Sequence, residues 1–83
     1  MSRQPISVSF RDVDAQNALR LFASEGGVNV VAGEGVRGRV TLELRDVPLD
    51  QAFLITLAQL DLGFRRSGDV LLVAPLESNR PSQ

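Results

Sequence analysis

Few residues in this sequence are equipped for chemistry. Histidine, cysteine, tyrosine and tryptophan are all absent. That removes the usual general bases, the thiol nucleophile and most metal ligands. Carboxylates remain, and two of them stand out. Asp12 and Asp46 each occupy the middle of an identical triplet, Arg11-Asp12-Val13 and Arg45-Asp46-Val47. To act as an acid–base pair or to hold a cation, they would have to converge in space. As local turn or helix-dipole residues, each needs only its own backbone. The local role is expected, and no catalytic residue, metal or cofactor is assigned.

Two other patterns point to binding. Gly35-Val-Arg-Gly38 has the letters of the GxxG loop that clamps RNA in KH domains. That loop joins two helices, however, and this one is predicted to join two strands. Arg37 and Arg39 flank it, and Arg65-Arg66 lie on a predicted hairpin. Four arginines among ten acidic residues, with no aromatic interleaved for stacking, do not make a nucleic-acid surface. The net charge of −1 gives no long-range field toward nucleic acid or an anionic membrane. Solvated or locally paired arginines are expected.

The elements that carry these residues follow from an internal repeat. At an offset of 34 residues, Ile6-Ser-Val-Ser-Phe-Arg-Asp-Val13 aligns with Val40-Thr-Leu-Glu-Leu-Arg-Asp-Val47. The match runs on without a gap, placing Ala18 over Ala52, Leu19 over Phe53 and Leu21 over Ile55. Each copy opens with strict alternation. Ile6, Val8 and Phe10 face one way, as do Val40, Leu42 and Leu44, which predicts strands with one buried face. Each strand leads into a helix. Asp14 is placed to cap the first, and Pro48 suits the first turn of the second. Gly26-Gly27 ends the first helix and Asp61 to Gly63 the second.

Strands are predicted at Val28–Val31, Phe64–Ser67 and Val70–Ala74, with a turn over Gly33–Gly38. The order is therefore βαββαββ, an α+β domain. The second helix is apolar almost all round between Ala52 and Leu62, so it is expected to be covered on more than one side. This implies two helices sandwiched between a two-stranded sheet, made by the repeat strands, and a three-stranded sheet. The folded domain is assigned to 6–75, with 1–5 a flexible start and 76–83 a polar linker. No stretch reaches the roughly 18 to 20 apolar residues that span a bilayer. The start also lacks the apolar run of a signal peptide, so an extracytoplasmic domain here is expected to be a piece of a longer precursor.

The outward positions of the repeat strands form the best site candidate. Ser7, Ser9, Arg11, Thr41, Glu43 and Arg45 are expected to share one surface. A two-stranded sheet also leaves unpaired backbone at its edges, where a partner strand can add.

Three stretches carry a family resemblance. They are Ile6-Ser-Val-Ser-Phe-Arg-Asp-Val-Asp14, Val36-Arg-Gly-Arg-Val-Thr-Leu-Glu-Leu-Arg-Asp-Val-Pro-Leu-Asp-Gln-Ala-Phe53 and Gly68-Asp-Val-Leu-Leu-Val-Ala-Pro75. Over Ile6 to Pro75 the chain resembles the secretin and TonB N-terminal short domain (STN) and its secretin form, the N-zero domain. Within that family it looks most like the type IV pilus secretins of the PilQ kind. It departs from them at Leu49, where tryptophan is common, and at Phe64, where tyrosine is common. The resemblance implies the same βαββαββ fold and no enzymatic activity. It implies a periplasmic interaction domain of an outer-membrane secretin, serving a type IV pilus or type II secretion. The implied partners are a PilP-like or GspC-like inner-membrane protein and neighbouring secretin subunits, with no nucleic acid and no membrane insertion by this domain. The alternative it implies is an STN signalling domain of a TonB-dependent transducer, contacting an anti-sigma regulator.

Overall fold

A computed structural model describes residues 4–76. The elements run β1 (Pro5–Asp14), α1 (Ala15–Gly26), β2 (Asn29–Ala32), β3 (Arg39–Pro48), α2 (Leu49–Gln59), β4 (Leu62–Ser67) and β5 (Val70–Pro75). The βαββαββ order is as expected. So is the pairing: β1 and β3 form an antiparallel two-stranded sheet, and β2, β5 and β4 a three-stranded one in that order. β2 runs parallel to β5, while β4 and β5 form an antiparallel hairpin.

The described residues include positions on either side of the 6–75 assigned from sequence. Pro5 stands opposite Pro48 in the ladder, and Leu76 N–H donates to Asp61 O at 3.0 Å. The rest of the expected flexible start and linker, 1–3 and 77–83, lies outside the described residues.

Local chemistry sets the ends of the helices. Asp14 caps α1, its side chain accepting from Gln16 N–H at 3.0 Å. The first helix stops where Gly27 takes φ 63°, a left-handed conformation that costs glycine nothing. Pro48 is the residue immediately before α2, at its N-cap. The second helix ends at Gln59, earlier than Asp61–Gly63. The Leu60 amide turns back to Thr56 O and Leu57 O, and Asp61 adopts φ 56°. Leu62 is thereby freed to enter β4 with its side chain buried.

The helices lie between the sheets, α1 against β1, β2 and β3, and α2 against β1, β3 and β4. All four phenylalanines of the chain join these layers. Phe10 on β1 meets Phe22 on α1 at 6.0 Å between ring centroids, Phe22 meets Phe53 on α2 at 5.6 Å, and Phe53 meets Phe64 on β4 at 5.7 Å. Each contact is edge-to-face, the favoured arrangement for aromatic quadrupoles. Thr56 is the buried polar residue of this core, and its hydroxyl donates to Ala52 O at 2.9 Å. Close approach also matters at Gly63. A Cβ there would stand 2.8 Å from Leu76 Cδ2, so a larger residue would require the half-exposed Leu76 side chain to turn aside.

The second helix is covered on more than one side, as expected, by β1 and β3 of one sheet and β4 of the other, but it is not enclosed all round. Leu49, Ala52, Phe53, Thr56 and Leu57 are buried, but Leu54 is 49% exposed and Ile55 38%. Successive helical residues turn by about 100°, so Leu54 and Ile55 project to either side of the arc that the other layers cover.

The two classes of position should respond differently to the same change. Leu57→Asp puts an unpaired charge at a position 2% exposed, a cost of several kcal/mol against a domain stability of about 5–15 kcal/mol. Its circular-dichroism melt is expected to lose the cooperative transition. Leu54→Asp, on the uncovered flank, is expected to keep that transition and lose about 1 kcal/mol or less.

Candidate docking surface

The β1–β3 sheet is built around two bulges. Phe10 pairs with Leu42, but Val13 pairs with Val40, so Arg11 and Asp12 together oppose Thr41. At the other end Ile6 pairs with Val47 and Val8 with Leu44, so Arg45 and Asp46 together oppose Ser7. The extra residue shifts the phase of the strand. Phe10 and Val13 can then both face inward although they are three apart, and so can Leu44 and Val47.

Asp12 and Asp46 take left-handed backbone, φ 55° and 53°. Aspartate is among the few non-glycine residues that tolerate this region. Each bulge is closed by the opposite strand. Asp12 N–H donates to Thr41 Oγ1 at 2.9 Å, and Asp46 N–H donates to Ser7 Oγ at 3.2 Å. Ser7 and Thr41 are equivalent positions of the repeat, as are Asp12 and Asp46. The two bonds are therefore one interaction made twice.

All six residues expected on the outer face are exposed there. Ser9 and Glu43 face each other across the middle of the ladder. Arg11 and Arg45 sit in the bulges, one toward each end. The Arg45 guanidinium lies 3.4 Å from Glu43 Oε2, whereas Arg11 makes no ion pair among the described residues. Glu43 thus lies at the centre of the face, and each end carries an exposed arginine beside an exposed aspartate, Arg11 with Asp12 and Arg45 with Asp46. Ser7 and Thr41 share it, but their hydroxyl oxygens already serve the bulges.

Arg39 was expected to be solvated or locally paired, and it lies 3.3 Å from Asp12 Oδ2 with both side chains well exposed. Such a pair is worth ~1 kcal/mol at most. The bulge role of Asp12 and Asp46 was not anticipated from sequence. Its signal is the break in alternation between Phe10 and Val13, and between Leu44 and Val47.

Other candidates fall away on geometry. The Gly35–Gly38 loop joins β2 to β3 and turns Val36 into the core, where it is 5% exposed. Among the described residues no group of three histidine, cysteine, aspartate or glutamate side chains is placed to hold a metal ion. No helix among them is long and apolar enough to cross a membrane.

Comparison with known proteins agrees with this architecture. The chain is 40% identical over 70 residues to the type IV pilus biogenesis and competence protein PilQ of Neisseria meningitidis serogroup A, covering 84% of this chain. It is 40% identical over 74 residues to the fimbrial assembly protein PilQ of Pseudomonas aeruginosa, covering 89%. The chain belongs to the secretin N0 domain family. It spans only 9% and 10% of the length of those two relatives. No family model matches the sequence.

Among solved structures, the N0 domain of the type II secretin from enterotoxigenic Escherichia coli superposes with a TM-score of 0.78 at 20% identity, covering 90% of this chain and 99% of that one. The V. cholerae type IV competence pilus secretin PilQ gives 0.76 at 38% identity, covering 87% of this chain and 18% of that one. A chain of the GspC–GspD complex from the enterotoxigenic E. coli type II secretion system gives 0.63 at 19%, covering 84% of this chain and 54% of that one. At these identities the first and third establish the shared N0 fold, while the PilQ matches carry the sequence relationship as well.

The bulges give this N0 domain a backbone signature that substitution can read. Asp12→Gly is expected to leave stability within about 1 kcal/mol, since glycine accepts the left-handed conformation and loses only an exposed ion pair. Asp12→Val is expected to cost about 1–3 kcal/mol, because a β-branched residue is strained there. Urea unfolding of both variants gives the comparison.

Proposed function

We propose that this N0 domain is a docking module of a secretin ring, serving a type IV pilus or a type II secretion machine. On this reading it lies in the periplasm as part of an outer-membrane protein, at the entrance of the ring and beside neighbouring secretin subunits. It carries out no catalytic step. It receives a periplasmic segment of an inner-membrane assembly protein, PilP-like in a pilus system or GspC-like in type II secretion. The outer face of the β1–β3 sheet is the surface that receives it.

The observation that carries this reading is the β1–β3 sheet itself. Among the described residues each of its strands has one ladder partner, so each keeps an unpaired edge, and between those edges lies an exposed face that carries Arg11, Glu43 and Arg45. Edges of this kind accept an added strand, while the side chains beside them select its sequence. A chain with this fold has been solved in a GspC–GspD complex, which supports the choice of partner class. The relatives at 40% identity are named as pilus proteins, which favours the pilus assignment over the transducer module.

Charge reversal tests the face. Arg11→Glu combined with Arg45→Glu alters two exposed side chains, and the melting temperature is expected to stay within a few degrees. Affinity for the periplasmic domain of a PilP-like partner, measured by isothermal titration calorimetry, is expected to fall about tenfold or more. Unchanged affinity would remove the outer face from the interaction.

A further inference from the structure

A concavity lies apart from the β1–β3 face. It is a groove of about 360 Å³ between the end of α1, the first turns of α2 and the β4–β5 hairpin. Phe53 and Phe64 line it in edge-to-face contact, and Leu54 forms one wall. Leu54 and Phe64 are 49% and 44% exposed, so two large apolar side chains meet at one opening. This is where the apolar surface of α2 that the core leaves uncovered meets the outer end of the phenylalanine series.

The rim is charged. Asp50, in the first turn of α2, and Asp69, in the β4–β5 turn, line the groove together with Arg66. Neither aspartate makes an ion pair among the described residues. Arg66 is turned toward its own hairpin, where Nε donates to Gly68 O at 3.4 Å. Asp50 Oδ1 also accepts from Gln51 N–H at 2.9 Å. The rim therefore carries two carboxylates and one guanidinium, a net negative charge beside an apolar floor. The volume is at the small end of the roughly 300–1,000 Å³ typical of ligand pockets, a size for one or two side chains.

We infer that the groove takes a short extended segment of another polypeptide, anchored by an aromatic or large aliphatic side chain with a lysine or arginine next to it. The anchor covers Leu54 and Phe64, and the cation lies between Asp50 and Asp69. An acidic neighbour would meet the excess of carboxylates on the rim. This inference does not rest on the docking role of the β1–β3 face, because the two surfaces share no residue.

Two peptides serve as probes, acetyl-Gly-Phe-Lys-Gly-amide and acetyl-Gly-Phe-Glu-Gly-amide, titrated into the isotope-labelled chain and followed by amide chemical shifts. The lysine peptide is expected to shift the amides of Leu54, Phe64 and Asp69, and to bind about threefold or more tightly than the glutamate peptide. Leu54→Ser, at an exposed site, is expected to weaken both. Asp50→Asn with Asp69→Asn is expected to erase the difference between them. An absence of groove shifts at millimolar peptide would overturn the inference, as would equal binding of the two peptides to the unaltered chain. Self-association without peptide that Leu54→Ser abolishes would also overturn it, and would give the groove to a second copy of the chain.

Discussion

Four phenylalanine rings, each set edge-on to the next, connect every layer of this molecule. The series starts under the two-stranded sheet, crosses both helices and emerges beside the three-stranded one. Each contact adds ~1 kcal/mol to the burial of its rings. Their directional geometry matters as much as their energy. An edge-to-face pair has a preferred angle, so the rings set the orientation of one layer on the next in a way that a cluster of aliphatic side chains would not. A short chain has few means of fixing its layers. Here the aromatic residues are all spent on that task, and only the last of them, Phe64, reaches the surface.

Much of the architecture was legible in the residues. The 34-residue repeat identified the two strands that pair, because equivalent segments with the same buried face have equivalent needs. Asp14 and Gly27 marked the ends of α1 through capping chemistry that acts within one turn. Legibility failed where the outcome depended on what lies across the fold. The apolar character of α2 did not reveal which of its residues would be covered, since Leu54 and Leu57 are alike in sequence and differ only in what packs against them. The groove at Leu54 and Phe64 is assembled from elements far apart in the chain, so no local pattern announces it. The six residues of the β1–β3 face were placed correctly as exposed. That Ser7 and Thr41 also hold the backbone of the opposite strand was hidden, because it depends on pairing register.

The Arg-Asp-Val triplets show how one short motif can serve shape and recognition together. Asp12 and Asp46 bend the strands, and the same bend sets the arginines beside them at the two ends of the outer face. In the proposed docking role, the placement of those arginines is a by-product of the backbone geometry. Side chains carried on so constrained a backbone lose less freedom when they meet a partner than side chains on a loop would. The groove near α2 has a different character, apolar within and acidic at its mouth, so the two surfaces suit unlike partners.

The crossed hydroxyl-to-amide bonds have a consequence for how the halves find each other. Their partners stand 29 and 39 residues apart in the chain, so neither bond can form within a single half. A slip of one step between β1 and β3 would separate both hydroxyls from their amides at once, and would turn the greasy side of a strand toward water. The seam is thus latched at its two extremities, and only one alignment closes both latches.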